Sequence, residues 1–268
     1  MDSGSIAQLR ELRSGLAETL ATLGLRAAGA GTHPFAIWQE VTVTSGDRYE
    51  FVHGSMRELA RREPTFALHV HVGLPDPETA IQAYNRIRVH LPLMLAISAN
   101  SPYWQGRDTG LASTRTPLFQ AFPRVGIPRA FRDYAHYAAE VDLLVRTDAI
   151  PDRSFLWWDV RPQPAIGTIE IRSIDAQEAI SENRFLAARD GVHASLIDAD
   201  QEIRRSVPEI LGELVEATRP HAQDLGCEAE LKHNLELVQA SPANRQREVA
   251  ANSPSLARMV RGLADEFI

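Results

Sequence analysis

Cysteine is almost absent from this sequence, because Cys227 is the single example among 268 residues. One thiol excludes an internal disulfide and any metal site built from several thiolates, and it is typical of a reducing compartment. Long apolar runs are missing too: residues 91–99 are too few to span a bilayer and include a proline. The first residues lack the basic and apolar segments of a secretory signal. We therefore expect a cytoplasmic location and no membrane partner.

Positive charge is in deficit. The chain has 28 Lys and Arg against 35 Asp and Glu, a formal net charge of -7, so nucleic acid is not the expected main partner. The G-x-x-x-x-G-K-[ST] phosphate loop, the G-x-G-x-x-G fingerprint and the G-x-S-x-G elbow are also missing. P-loop enzymes, Rossmann enzymes and serine hydrolases therefore lose their usual sequence support.

Apolar periodicity predicts a mixture of helices and strands. Leucines recur at three- and four-residue steps through residues 5–27, the pattern of an amphipathic helix. Residues 99–131 are rich in Gly, Pro, Ser, Thr and Asn, and long ordered loops on a compact domain commonly carry function. The remaining predictions are helices at 47–62, 77–98 and 133–147, strands at 65–74, 154–164 and 167–176, and a helical region from 176 onward.

The predicted strand TFALHVHVGL, residues 65–74, places two histidines on one face. Side chains alternate along a strand, so His69 and His71 lie on the same side. The other side is apolar, and we expect helices to cover its residues: Phe66, Leu68 and Val70. An H-x-H pair on a strand is a metal-ligand pattern, but it also occurs as a hydrogen-bonded pair. The residues alone leave both interpretations open.

Two further predicted strands carry polar pairs with the same alternation. Asp159 and Arg161 share a face of WWDVRP, and Glu170 and Arg172 share a face of GTIEIRSIDA. If the three strands line one sheet, these side chains converge with the histidines on one surface. Carboxylate and imidazole groups suit a divalent cation, and guanidinium groups suit a phosphate or a carboxylate. The purely structural alternatives are a cross-strand pair on the surface for Glu170 and Arg172, and a buried ion pair for Asp159 and Arg161.

Several segments in order carry a family resemblance: GTHPF, LHVHVGLPD, ANSPYWQGRDTGLASTRT, LWWDVRPQP and IEIRSIDA, followed by ENRFLAARDG and ANRQR. This series resembles the bacterial carboxylate–amine ligases related to glutamate–cysteine ligase. The resemblance implies an α+β, glutamine-synthetase-like catalytic fold, in which a curved, largely antiparallel sheet forms a funnel with helices outside. It also implies ATP and Mg²⁺ as cofactors, an amino-acid carboxylate such as glutamate and an amine as substrates, and an amide formed through an acyl phosphate.

The resemblance also assigns expected roles to single residues. Glu170 and Arg172 are the implied catalytic residues, with Arg172 on the transferring phosphoryl group. His69, His71 and Glu170 are implied at the metal and nucleotide site. The residues expected to bind substrate or nucleotide are Asn100, Ser101, Arg115, Asp159 and Arg161. Such a set is chemically reasonable, because phosphoryl transfer is catalysed mainly by positioning and by cations set against developing negative charge.

One part of the family pattern is missing from residues 1–31. Family members open with a G-x-E-E-E-F strand and a second acidic segment, whereas the acidic residues here are Asp2, Glu11 and Glu18. We therefore expect residues 1–268 to form a single ligase-like domain that lacks the N-terminal acidic strand or strands. A magnesium site with fewer carboxylates would bind weakly, because Mg²⁺ prefers oxygen ligands. An unpaired sheet edge would also favour a homo-oligomer.

Two other functions stay open. One is a catalytically inactive, truncated homologue that binds nucleotide or substrate, or that acts as a partner subunit. The other is a metallohydrolase with the H-x-H pair on the first strand of a barrel. That architecture needs repeated strand–helix units, and a helical pattern through the C-terminal third argues against it.

Overall fold

The computed structural model describes residues 3–42, 44–62, 65–172, 179–198 and 201–265. The helices are α1 (Ser3–Thr22), α2 (Asp47–Met56), α3 (Glu58–Arg61), α4 (Pro77–Ile87), α5 (Leu91–Ser98), α6 (Arg115–Phe119), α7 (Tyr134–Arg146), α8 (Ala179–Asp190), α9 (Val207–Asp224), α10 (Glu228–Leu237), α11 (Pro242–Ala251) and α12 (Leu256–Asp265). The strands are β1 (Val70–Gly73), β2 (Tyr103–Trp104), β3 (Arg107–Asp108), β4 (Val125–Gly126), β5 (Trp157–Trp158), β6 (Val160–Gln163), β7 (Thr168–Ile171), β8 (Ser195–Asp198) and β9 (Ile203–Ser206). This mixture confirms the α+β prediction.

The main sheet has three antiparallel strands in the order β1, β7, β6. The register places His71 beside Glu170, and Glu170 beside Arg161. The predicted pairing of the segments around 154–164 and 167–176 is therefore confirmed as far as residue 172, whereas residues 173–178 lie outside the described residues. The curved funnel stays a prediction, since the described strands otherwise form two-stranded pairs.

Helix α4 covers the apolar face of strands β6 and β7. Asp76 caps the helix, because its Oδ1 accepts a hydrogen bond from the Thr79 amide at 2.8 Å. The inward face of the helix buries Tyr84 in the same cluster as Val160 of β6 and Ile169 of β7. The hydrophobic core therefore lies on one side of the sheet, and the opposite, polar side is left for the site.

The apolar face of β1 is not covered in the same way. Leu68 is 74% exposed, Phe66 and Val72 are also exposed, and Val70 is half-buried. The prediction that helices cover Phe66 and Leu68 is therefore wrong. Helix α4 makes its main sheet contacts with β6 and β7, whereas β1 lies on the other side of β7 from β6, so the residues at and just before β1 are less covered by this helix. The predicted strand at 65–74 is also shorter than expected.

Two predicted helices are divided. The helix at 77–98 is broken by a 3₁₀ turn at residues 88–90, just before Pro92. Proline has no amide hydrogen, so the bond from residue 92 back to residue 88 cannot form. The helix at 47–62 is divided at Arg57, whose φ of 57° does not fit a right-handed helix.

The C-terminal third is not entirely helical. Residues 195–198 and 203–206 pair as the antiparallel strands β8 and β9, so the helical prediction is wrong for both segments. Leu196 is buried in the main hydrophobic cluster, and tertiary packing of this kind overrides a local helical pattern in many proteins. The other C-terminal elements are helices, as predicted.

Helix α1 confirms the predicted N-terminal helix, but none of its described side chains is buried. Leu9, Leu12 and Leu16 are exposed along it. Among the described residues, no helix combines the length and apolarity that crossing a bilayer requires.

Candidate active site

Glu170 lies at the centre of the polar face of the main sheet, with a side chain that is 3% exposed. Its Oε2 accepts hydrogen bonds from Arg161 Nε at 2.7 Å and Gln163 Nε2 at 2.6 Å. Its Oε1 accepts one from Arg172 Nη1 at 2.7 Å. Strand geometry explains this cluster: Arg161 is the cross-strand partner of Glu170, and the other two donors follow by the alternation of side chains.

The two histidines, His71 on β1 and His69 just before it, approach the same carboxylate. His69 Nδ1 lies 3.2 Å from Glu170 Oε1, and His71 Nε2 lies 3.8 Å from that atom. His71 Nδ1 lies 3.0 Å from Thr168 Oγ1. The imidazoles thus point toward the polar cluster rather than into the apolar core, and their contacts are those of a hydrogen-bonded group. A metal-binding role for them stays a prediction.

The pKa values of this cluster follow from its cations. Burial by itself would raise the pKa of Glu170, but hydrogen bonds from His69, Arg161 and Gln163 and the charge of Arg172 outweigh it. The pKa of Glu170 is therefore held well below its usual value, and the group is ionised. Burial lowers the pKa of Arg172, and the nearby charge of Arg161 lowers it further.

Arg115, at the start of α6, brings a third guanidinium to the cluster. Its side chain is buried, its charge also lowers the pKa of Arg172, and its Cζ lies 5.1 Å from the centre of the Phe119 ring. Arg161 and Arg172 therefore contact the carboxylate of Glu170, and Arg115 adds a third positive charge near Arg172. The three guanidinium groups exceed the negative charge even when the buried Asp159 is counted. Such an excess of positive charge suits an anionic ligand.

The described residues do not form a magnesium cage. Both oxygens of Glu170 accept hydrogen bonds from cationic or amide donors, so a metal ion would have to compete with these partners for the carboxylate. Across the described ranges, no group of three or more His, Cys, Asp or Glu side chains is placed to hold a metal. Because Mg²⁺ prefers several oxygen ligands in octahedral geometry, the donors present here fit an anion better than this cation. The predicted Mg²⁺ role of Glu170 and the histidines stays untested.

Asn100 and Ser101 hold the loop that leads to Arg115. Asn100 Nδ2 donates to the Gly29 carbonyl at 2.9 Å. Ser101 is buried, and its Oγ accepts a hydrogen bond from the Arg115 amide at 3.1 Å. Both polar side chains thus bond to the protein itself, and their predicted contact with substrate or nucleotide stays a prediction.

Asp159 is buried beside the cluster, and its main chain is hydrogen-bonded to two neighbouring segments. Its carbonyl accepts a hydrogen bond from the Arg172 amide at 2.8 Å, and its amide donates to Gly126 at 3.0 Å. Gln163 is the member of the cluster that sequence reasoning missed. It lies two residues beyond Arg161 on the same face of β6, so the alternation used for Arg161 would have found it.

These features define a class of site: a cationic cluster around a buried carboxylate, on the polar face of an antiparallel sheet. The family model for glutamate–cysteine ligase family 2 matches residues 3–182. A Rubrobacter xylanophilus protein named "Putative glutamate–cysteine ligase 2-1" is 43% identical, with 91% of this chain and 74% of that protein covered. A Sorangium cellulosum protein named "Putative glutamate–cysteine ligase 2" is 35% identical, with 97% of this chain and 79% of that protein covered. The chain belongs to glutamate–cysteine ligase family 2.

Proposed function

We propose that this chain is an ATP-dependent carboxylate–amine ligase, similar in reaction to glutamate–cysteine ligase, with glutamate as the carboxylate substrate. The observation that carries the proposal is the excess of guanidinium groups around Glu170 in a chain of this family. The names of the relatives support a ligase. A cytoplasmic location and a homo-oligomer stay predictions.

Arg172 is the residue we propose for the transferring phosphoryl group. One nitrogen, Nη1, is engaged by Glu170, whereas Nε is buried and has no hydrogen-bond partner among the described residues. An unpaired donor in a buried position costs free energy, so an anionic oxygen placed there would be stabilised. The planar guanidinium can also present two donors to a phosphate in a fixed geometry.

Arg161 has a different role in this proposal. Its Nε donates to Glu170, and its Nη1 donates to the carbonyls of Ser154 at 3.0 Å and Leu156 at 2.6 Å. A guanidinium with so many protein partners is fixed in place. We assign it to positioning Glu170, which in turn orients Arg172, rather than to direct contact with substrate.

The proposed reaction has two steps. A carboxylate oxygen of the first substrate attacks the γ-phosphorus of ATP, the bond from that phosphorus to the bridging oxygen breaks, and ADP leaves. The amine nitrogen of the second substrate then attacks the carbonyl carbon of the acyl phosphate. Inorganic phosphate leaves, and the nitrogen loses a proton as the amide forms. Negative charge grows on the phosphoryl oxygens in the first step, where Arg172 and Arg115 would stabilise it.

An assay of ADP release tests the proposal. ATP and Mg²⁺ are supplied with glutamate and a panel of amino-acid acceptors, and each acceptor is also omitted in turn. We expect ADP release that depends on both glutamate and one acceptor, and an amide product detected by mass spectrometry. ADP release that depends on neither glutamate nor the acceptor would contradict a ligase function.

The alternative is a homologue that binds nucleotide without turnover. The saturated hydrogen bonding of Glu170 and the lack of a metal-binding group among the described residues favour it. Calorimetry separates the two functions: ATP binding without any ADP release under every substrate combination would support the inactive homologue.

A further inference from the structure

Helix α11, near the C-terminal end of the described chain, packs on the segment that carries Asn100. Gln246 is buried, and its Nε2 donates to Asn100 Oδ1 at 2.6 Å and to the Asn100 carbonyl at 3.0 Å. The Ala243 amide donates to the Ala99 carbonyl at 3.1 Å. The N-terminal half of α11 therefore fixes the start of the segment from residue 100 onward.

The same helix holds the far part of this segment through Arg247. Its Nε and Nη2 atoms donate to the two carboxylate oxygens of Asp108 at 2.8 and 3.0 Å, and Nη2 also donates to the Leu111 carbonyl at 2.8 Å. A hydrogen bond from Arg247 holds the pKa of Asp108 below its usual value. Paired donors to one carboxylate fix orientation as well as distance.

The segment held at both points leads directly to Arg115. The Ser101 amide donates to the Ala112 carbonyl at 3.2 Å, and the Thr114 amide donates to the Ser101 carbonyl at 2.9 Å. The Arg115 amide then donates to Ser101 Oγ at 3.1 Å. The main-chain position of Arg115 is thus set relative to Ser101, the neighbour of the residue that Gln246 holds.

We infer that α11 is a positioning element of the proposed site, and that Gln246 and Arg247 set the place of Arg115 by holding residues 100–111. This helix lies outside residues 3–182, the part that the family model matches. The activity readout of this inference rests on the proposed function, whereas its structural readout does not.

Positioning can be separated from folding at the Arg247–Asp108 pair. The two side chains are 29% and 41% exposed, so the pair contributes little to the free energy of unfolding. Loss of this ion pair should therefore free residues 100–111 from α11 while leaving the fold intact. Gln246 is less suitable as a first test, because it is fully buried and its replacement would also disturb packing.

The experiment compares Arg247→Ala, Arg247→Lys and the exchanged pair Asp108→Arg with Arg247→Asp. Arg258→Ala, an exposed arginine on the next helix, is the matched control. We expect Arg247→Ala to raise the KM for ATP, or to weaken ATP affinity by calorimetry, roughly 3- to 30-fold. Arg247→Lys should give an intermediate value, because lysine keeps the positive charge but cannot donate two parallel hydrogen bonds to one carboxylate. The exchanged pair should recover part of the loss, and the urea midpoint should match that of the control.

Hydrogen exchange at residues 112–115 supplies a second readout that needs no ligand. We expect faster exchange there in Arg247→Ala than in Arg258→Ala. Unchanged exchange, or a loss of ATP affinity that only follows a lower urea midpoint, would overturn the inference. If the wild-type chain binds no ATP, the proposed function fails, and the exchange data still decide whether α11 positions this loop.

Discussion

Arg161 and Glu170 are direct partners across the β6–β7 hairpin, and Arg161 Nε donates to Glu170 Oε2 at 2.7 Å. Both side chains are almost completely buried. Removing one member of a buried pair leaves an uncompensated charge, which is more costly than losing a surface ion pair. Glu170 should therefore be needed for folding stability as well as for the site.

Glu170→Gln should lower the free energy of unfolding by about 3–5 kcal/mol at pH 7, because the guanidinium groups lose their carboxylate. Urea unfolding measures this loss. The exposed Glu18→Gln on α1 is the control, and it should change stability by less than about 0.5 kcal/mol. Equal midpoints for the two variants would contradict the structural role of Glu170.

The stability contributed by Glu170 should depend on pH in a defined direction. Its pKa in the folded protein lies below the ordinary 4.5, so its contribution is complete above that pH and decreases as the pH falls. The stability difference between wild type and Glu170→Gln should therefore shrink by about 1.4 kcal/mol per pH unit below the ordinary value. Urea titrations at a series of acidic pH values test this. A difference that stays constant with pH would show that the carboxylate is not held ionised by its partners.

Arg172→Lys should reduce kcat about 10²–10³-fold with little change in the KM for ATP, if Arg172 acts mainly in the transition state. Lysine keeps the charge but cannot present two donors in one plane. Steady-state ADP release measures both constants. Arg146→Lys, on an exposed residue of α7, is the control and should be neutral. Equal rates for both variants would remove Arg172 from the proposed mechanism.

Two identical leucine substitutions should differ strongly in cost. Leu156 is 1% exposed in the main core, whereas Leu68, just before β1, is 74% exposed. Leu156→Ala should therefore lower the free energy of unfolding by about 2–5 kcal/mol. Leu68→Ala should change it by less than about 0.5 kcal/mol. If Leu68→Ala proves as costly as Leu156→Ala in urea, its side chain is covered in solution, and a second copy of the chain is the first partner to examine by light scattering.

Helix α9 should lose stability when its capping box is broken. Ser206 Oγ accepts from the Glu209 amide at 3.4 Å, and Glu209 Oε2 accepts from the Ser206 amide at 2.8 Å. Ser206→Ala should cost about 0.5–2 kcal/mol, while Ser206→Thr keeps the hydroxyl and most of the stability. Thermal unfolding of the two variants side by side provides the measurement, and indistinguishable midpoints would argue against the cap.

Short-range patterns in the sequence were sufficient to predict which polar residues meet at the centre of the candidate site. The alternation of Asp159 with Arg161, and of Glu170 with Arg172, predicted that polar groups from neighbouring strands converge, and the paired strands bring Arg161, Glu170 and Arg172 together. The same rule placed both histidines toward Glu170. Alternation needs no knowledge of distant contacts, because each peptide unit reverses the side of the next side chain.

The sequence by itself thus determined which residues share a face, and its motifs pointed to the family that the comparisons show. Only the tertiary structure decided which faces are covered. Leu68 and Leu156 are the same residue type, yet Leu68 is exposed just before β1 and Leu156 is buried in the main core. The bond from Arg247 to Asp108 joins residues 139 positions apart. No local periodicity contains such a contact, since burial and long-range pairing depend on what the rest of the chain places nearby.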